Sequence, residues 1–162
     1  MIFSDFGLIG LAVMGENLVL NLERNGFKVA VYNRSTDKVD SFVKGRAKGK
    51  QIRACYTLEE LVASLSRPRK VMLLVKAGRA VDQLIEQLLP LLEPGDIIID
   101  GGNSHFPDSI RRTTYVESKG PLYIGTGVSG GDEGAVLGPS CLPGGSPAAG
   151  VHVKEIFQNI AA

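Results

Sequence analysis

The chain has 162 residues, 44% of them hydrophobic and 22% charged, with a net charge of +1. That is one domain's length by the usual prior of roughly 100 to 200 residues, and the balance of apolar and charged side chains excludes a disordered chain and a polyanion-binding surface. Two cysteines, Cys55 and Cys141, form no CxxC pair, metal-ligand cluster or disulfide framework, and no run approaches the roughly 18 apolar residues of a membrane span. A cytoplasmic protein with reduced thiols, no metal, no nucleic acid partner and no membrane contact is expected.

The N-terminal stretch Phe6-Gly7-Leu8-Ile9-Gly10-Leu11-Ala12-Val13-Met14-Gly15 reads as strand, phosphate-binding turn and helix. Its Gly10-x-Ala12-x-x-Gly15 spacing is the dinucleotide fingerprint with alanine at the middle glycine. Gly10 permits the tight turn, Ala12 is small enough for backbone to approach a diphosphate, and Gly15 lets the helix lie close to the sheet. That helix, expected over 13–25 and stopped by Gly26, offers unpaired N–H groups and a positive dipole end to phosphates.

A β-rich run over 27–32 follows and ends at Asn33-Arg34-Ser35-Thr36, about 20 residues after the turn, where this kind of fold reads the ribose. A site for NAD would carry Asp or Glu there. This one has no acid before Asp37 and presents Arg34, whose guanidinium suits the 2′-phosphate of NADP, with Asn33 and Ser35 or Thr36 as added donors. Next come a helix over 36–43, a basic glycine-containing loop over 45–50, a short strand over 52–55, and the capping box Thr57-Leu58-Glu59-Glu60 opening a helix to about Leu65.

Val71-Met72-Leu73-Leu74-Val75 is a continuous apolar run, as in a central parallel strand, so Val75-Lys76-Ala77-Gly78 should lie at the carboxyl edge of the sheet beside a cofactor. Val81, Leu84, Ile85, Leu88 and Leu89 recur at three and four, predicting an amphipathic helix over 80–92 whose stripe is core. A strand over 96–100 runs into Gly101-Gly102-Asn103-Ser104, where a ligand can approach backbone and meet polar partners. A helix over 107–119 and a strand over 122–125 complete another βαβ unit. The segment 125–135 carries five glycines in eleven residues and reads as a loop whose N–H groups can converge on an anion. A short edge strand within 139–145 and a helix from Ser146-Pro147 to Ile160 end the chain. Together these elements predict an α/β fold, Rossmann-like and doubly wound, with a mainly parallel sheet and helices on both faces, in one cofactor-binding domain over 1–162.

The pieces Gly7-Leu8-Ile9-Gly10-Leu11-Ala12-Val13-Met14-Gly15, Asn33-Arg34-Ser35, Leu74-Val75-Lys76-Ala77-Gly78, Asp100-Gly101-Gly102-Asn103-Ser104, Gly127-Val128-Ser129-Gly130-Gly131 and Leu142-Pro143-Gly144-Gly145 together resemble the coenzyme-binding domain of the 6-phosphogluconate dehydrogenase family, in the β-hydroxyacid dehydrogenase superfamily, over essentially the whole chain. The resemblance implies that Gly10, Leu11, Ala12, Val13, Met14, Gly15, Asn33, Arg34 and Ser35 hold NADP and that Val75, Lys76 and Ala77 line it. It implies that Asn103 touches cofactor and sugar, and that Ser129, Gly130 and Gly131 bind substrate. The implied reaction oxidises the C3 hydroxyl of 6-phosphogluconate with NADP+, and the β-keto acid loses CO2 to give ribulose 5-phosphate, a pentose phosphate pathway step. The family's general acid/base lysine and its partner glutamate lie beyond residue 162. A nearly inactive N-terminal piece of a longer, homodimeric enzyme is therefore expected, the piece itself being a monomer. Two other readings stay open. One is a self-standing NADP-binding sensor, distinguished by whether a longer parent supplies the lysine. The other is a different β-hydroxyacid dehydrogenase, such as one for 3-hydroxyisobutyrate, against which Arg34 argues.

Overall fold

A strand covered on both faces must be apolar on both, and β1 (Phe6–Ile9), β4 (Lys70–Leu73) and β5 (Ile97–Asp100) meet that demand with hardly a polar residue. In the computed structural model, which describes residues 2–76, 78–101, 106–129 and 140–145, they lie side by side at the centre of the sheet. With β2 (Val29–Tyr32), β3 (Ile52–Ala54), β6 (Leu122–Ser129) and β7 (Ser140–Gly145), the strand order among the described residues is β3-β2-β1-β4-β5-β6-β7. Every neighbouring pair is parallel except β6 with β7.

The strand period of two sorts side chains to opposite faces, and the isoleucines of β5 show it plainly. Ile97 and Ile99 join Phe6, Leu8, Val29, Val31 and Met72 in a core with Leu18 and Leu22 of α1 (Val13–Arg24) and Val39 and Phe42 of α2 (Thr36–Lys44). Ile98 joins Ile9, Ala30, Val71 and Leu73 on the other face. The cover there is Leu61 of α3 (Leu58–Ala63), Val81, Ile85 and Leu88 of α4 (Arg79–Leu88), and Val116 of α5 (Phe106–Glu117). The fold is thus a Rossmann-like, doubly wound α/β sheet, as its apolar runs predict. The strand order reverses between β1 and β4, which opens a crevice at their carboxyl ends.

Local signals account for the element ends. Thr57, the N-cap of α3, accepts from the Glu60 N–H at 3.0 Å, and the Glu60 carboxylate reaches back past the cap to the Tyr56 N–H at 3.4 Å, a variant of the expected box. Behind the sheet's amino edge the buried Asp96 carboxylate accepts from the N–H groups of Arg69 and Glu93 at 2.9 and 2.8 Å and pairs with the Arg69 guanidinium at 3.1 Å. It ties the turns preceding β4 and β5, far from the crevice. Cys55 is buried, and burial pushes its thiol up to about 11, in keeping with a structural role.

One element departs from expectation. Residues 125–129, read as the start of a glycine loop, continue β6, because Ile124 to Ser129 pair with Gly145 to Ser140 of β7. Ladder pairing overrides the poor strand propensity of glycine there. The expected helix over 146–160 lies outside the described residues.

Candidate functional site

The crevice is built from the ends of three strands and one helix. β1 ends at Gly10, whose φ of +112° is open to glycine alone at low cost, and whose N–H donates to the Tyr32 carbonyl at 3.0 Å. A Cβ at Gly10 would stand 2.1 Å from the Leu74 carbonyl oxygen, so this residue lets β1 and the end of β4 come together at the turn. α1 begins at once with Ala12 as its N-cap, and no side chain caps it. The first-turn N–H groups are therefore directed at whatever acceptor enters from the crevice. Gly15 sits in that first turn with its Cα against the Gly10 carbonyl, where a Cβ would lie 2.0 Å from the oxygen.

β2 delivers the next group. Asn33 is held at both ends: its Oδ1 accepts from the Leu11 N–H at 2.8 Å, and its Nδ2 donates to the Ser35 carbonyl at 3.0 Å. The sequence suggests Asn33 as a ligand donor; in the structure it lines the cleft, and its amide links the glycine turn to the loop carrying Arg34. Asn33→Ala should therefore lower unfolding free energy by about 1–2 kcal/mol, the usual cost of an unmade hydrogen bond, measured by urea denaturation. An unchanged stability would mean that the link carries no weight. Arg34 and Ser35 are both exposed, Arg34 on the cleft, and Ser35, although the N-cap of α2, makes no side-chain cap bond.

Together these groups border a cleft of about 690 Å³. Ile9, Gly10, Tyr32, Asn33 and Arg34 form one side, Val75 the floor towards β4, and Ala80, Gln83, Leu84 and Gln87 of α4 the far wall. The α4 residues are the part that sequence reading did not assign to the site. Their polar positions alternate with the core stripe of α4, and only the placement of α4 across the switch point turns that face into a cleft wall. Lys76 is exposed at the β4 end. Ser129 is at the end of β6, paired with Ser140. Ala77, Asn103, Gly130 and Gly131 lie outside the described residues.

The arrangement is chemically specific. Gly10 of the small-residue turn and the Arg34 guanidinium line one cleft, and the turn leads into an uncapped helix start; such a set suits an elongated ligand with phosphates at two points. Among the described residues no group of three or more His, Cys, Asp or Glu side chains could hold a metal ion, and no helix is long and apolar enough to cross a membrane.

Comparison with known proteins gives this geometry a family. The profile of the NAD binding domain of 6-phosphogluconate dehydrogenase matches residues 5–162. The chain belongs to that family. Decarboxylating 6-phosphogluconate dehydrogenase of Dictyostelium discoideum is 66% identical over 159 residues, covering 98% of this chain and 32% of its own. The enzyme of Treponema pallidum is 62% identical, with 98% and 33% covered. The chain thus spans about a third of the length of the curated relatives it matches. Among solved structures, Plasmodium falciparum 6-phosphogluconate dehydrogenase superposes with a TM-score of 0.92 at 47% identity over 98% of this chain and 34% of that one. That enzyme is described in its apo form, with its cofactor NADP+ and with its substrate 6-phosphogluconate. Mycobacterium tuberculosis 3-hydroxyisobutyrate dehydrogenase shares the fold, with a TM-score of 0.84 at 20% identity over 99% of this chain and 53% of that one. In this chain, Gly10 of the glycine turn and Arg34 border a single cleft.

Proposed function

We propose that this chain is the NADP-binding domain of a decarboxylating 6-phosphogluconate dehydrogenase. The observation that carries the reading is the placement of Arg34 and of Gly10, the first residue of the glycine turn, on one cleft, with no carboxylate among residues 33–36. The cofactor fits what is present: the backbone approach at Gly10 and Gly15 leaves no room for a Cβ, and the helix start lacks a side-chain cap. The likeness to enzymes named for this reaction, and to one described with NADP+ and 6-phosphogluconate, supports the same reading.

In this reading the chain works as one domain over 1–162. Gly10, Leu11, Ala12, Val13, Met14 and Gly15 receive the diphosphate, and Asn33, Arg34 and Ser35 form the 2′-phosphate loop. Val75, Lys76 and Ala77 line the cofactor. Asn103 serves cofactor and sugar, and Ser129, Gly130 and Gly131 serve the substrate. The chemistry that bound NADP+ would supply is acceptance of the hydride from C3 of 6-phosphogluconate as the C3 hydroxyl gives up its proton, after which the β-keto acid loses CO2. The residues of this chain bind and orient, and orientation is itself a large part of such a barrier. The same reading makes the protein cytoplasmic and the full-length enzyme a homodimer.

Calorimetric titration of the 162-residue protein with NADPH and then NADH, at fixed salt, tests this. Clear preference for NADPH is expected. Binding of neither, or equal binding of both, would overturn the assignment.

A further inference from the structure

Arg46 belongs to the basic loop between α2 and β3, which has no part in the proposed cofactor site, yet its side chain ends on the helix that opens that site. Its Nη1 donates to Glu16 Oε1 at 3.0 Å, and its Nη2 donates to Oδ1 of the buried Asn17. Glu16 is the acid of the first turn of α1. Its own N–H donates to the Ala12 carbonyl at 2.9 Å, which closes the first bond within the helix. The N–H groups left over for an incoming anion are therefore those of residues 12–15, immediately before it.

An acid at that place acts differently on the free helix and on the helix with phosphate at its start. Without a ligand, a first-turn carboxylate complements the positive end of the dipole. Towards a diphosphate it is a like charge, one residue beyond the N–H groups that receive the phosphates. A flexible glutamate there can also turn back and compete for those groups, as the acid of a capping box does. Arg46 answers both effects: its charge neutralises the carboxylate, and its second arm on Asn17 fixes where the pair lies.

Anchoring the loop is a poor account of the pair. The Arg46 and Glu16 side chains are 46% and 22% exposed, and an ion pair so open to water adds little to stability. The loop has other ties to the same elements. Ala47 is buried among core residues of α1 and α2, and its N–H donates to the Phe42 carbonyl at 2.9 Å. The Gln51 N–H donates to Glu23 Oε2 at 3.2 Å, and Lys50 stands 3.9 Å from the other oxygen of that carboxylate. What Arg46 adds is a charge on Glu16. We infer that Arg46 is a positioning residue for the diphosphate of the cofactor, holding and neutralising Glu16 so that the start of α1 stays open to phosphate. The inference rests on the proposed cofactor role of the Gly10–Gly15 turn.

The test uses NADPH and NADH, which carry the same diphosphate. Their affinities are measured by calorimetry at fixed low salt on the 162-residue protein, on its Arg46→Met and Arg46→Lys variants, and on the double variant Arg46→Met with Glu16→Gln, with thermal melts to establish folding. Arg46→Met should weaken both ligands alike, by about fivefold, or ~1 kcal/mol. The loss should shrink in about 0.5 M salt, because the pair is exposed. Arg46→Lys keeps a cation within reach of Glu16 and should stay within about twofold of the unmodified protein. The double variant should bind at least as tightly as the unmodified protein, since the charge that Arg46 masks is gone. If Arg46→Met does not fold, Glu16→Gln alone decides: both ligands should bind at least as tightly as before, and weaker binding overturns the inference. A loss that Glu16→Gln leaves unrepaired, or that Arg46→Lys shares, would make Arg46 a loop anchor and overturn the inference, as would unchanged affinities or a loss confined to NADPH. An unmodified protein that binds neither ligand would overturn the cofactor reading itself, and this inference with it.

Discussion

Gly15→Ala is expected to abolish measurable NADPH binding, an affinity loss beyond about 100-fold, and to lower the thermal midpoint by about 5–10 °C. The added Cβ would lie 2.0 Å from the Gly10 carbonyl oxygen. That neighbour is backbone, so no rotamer change relieves the clash; either α1 lifts from the sheet or the turn opens. Both movements displace the first-turn N–H groups from the crevice. Overpacking of this kind costs about 1–3 kcal/mol even where side chains can adjust. Gly26→Ala is the control. Gly26 has a φ of +93° but nothing within 4 Å of the added carbon, so it should lose stability through backbone strain alone and keep its NADPH affinity. Calorimetry and thermal melts of the two variants read the difference, and wild-type affinity in Gly15→Ala would show that the turn is only a structural corner.

Arg34→Glu should weaken NADPH by about one to two decades and NADH by less than about threefold. A charge-assisted hydrogen bond contributes about 1.5–3 kcal/mol, and each 1.4 kcal/mol is tenfold. The carboxylate adds repulsion towards a 2′-phosphate but finds a hydroxyl acceptable. Because Arg34 is exposed, added salt should narrow the wild-type preference for NADPH, since ions screen an exposed pair more than a buried one. Equal losses for both cofactors would remove Arg34 from the 2′-phosphate site.

Sequence and structure agree most closely where the signal is local. Gly10 and Gly15 are readable from spacing because each answers a steric demand of its own turn. Arg34 is readable because the end of the second strand is fixed in the chain by the length of one helix. The isoleucines of β5 and the stripe of α4 are readable because burial on two faces or one leaves its period in the sequence. What escaped was set by distant partners. Gln83 and Gln87 look like an ordinary solvated face until β4 pairs with β1 and brings α4 over the cleft. The buried Arg112 of α5 carries no local mark at all, since the carboxylates it pairs with, Asp82 of α4 and Asp100 of β5, belong to other elements. Asn33 is expected from the sequence as a ligand donor, but its link to Leu11 depends on how close two loops lie, which no spacing encodes. The extension of β6 to Ser129 was hidden by glycine composition and exists because β7 pairs with it.

The seam between β1 and β4 has a consequence for how the domain comes to be. Gly7, Leu8 and Ile9 pair with Val71, Met72 and Leu73, whereas the β1–β2 ladder joins segments much nearer in the chain. A nascent polypeptide can form the β1–α1–β2 unit early, but β1 then has a neighbour on one side only, and the turn at Gly10 lacks the Leu74 backbone it packs against. Closing the second ladder requires a long loop to be ordered at once, the kind of event that slows folding relative to local contacts. The pocket is therefore completed late: one side, with Gly10 and Arg34, belongs to the β1–α1–β2 unit, and its floor and far wall come only when β4 docks and α4 follows it.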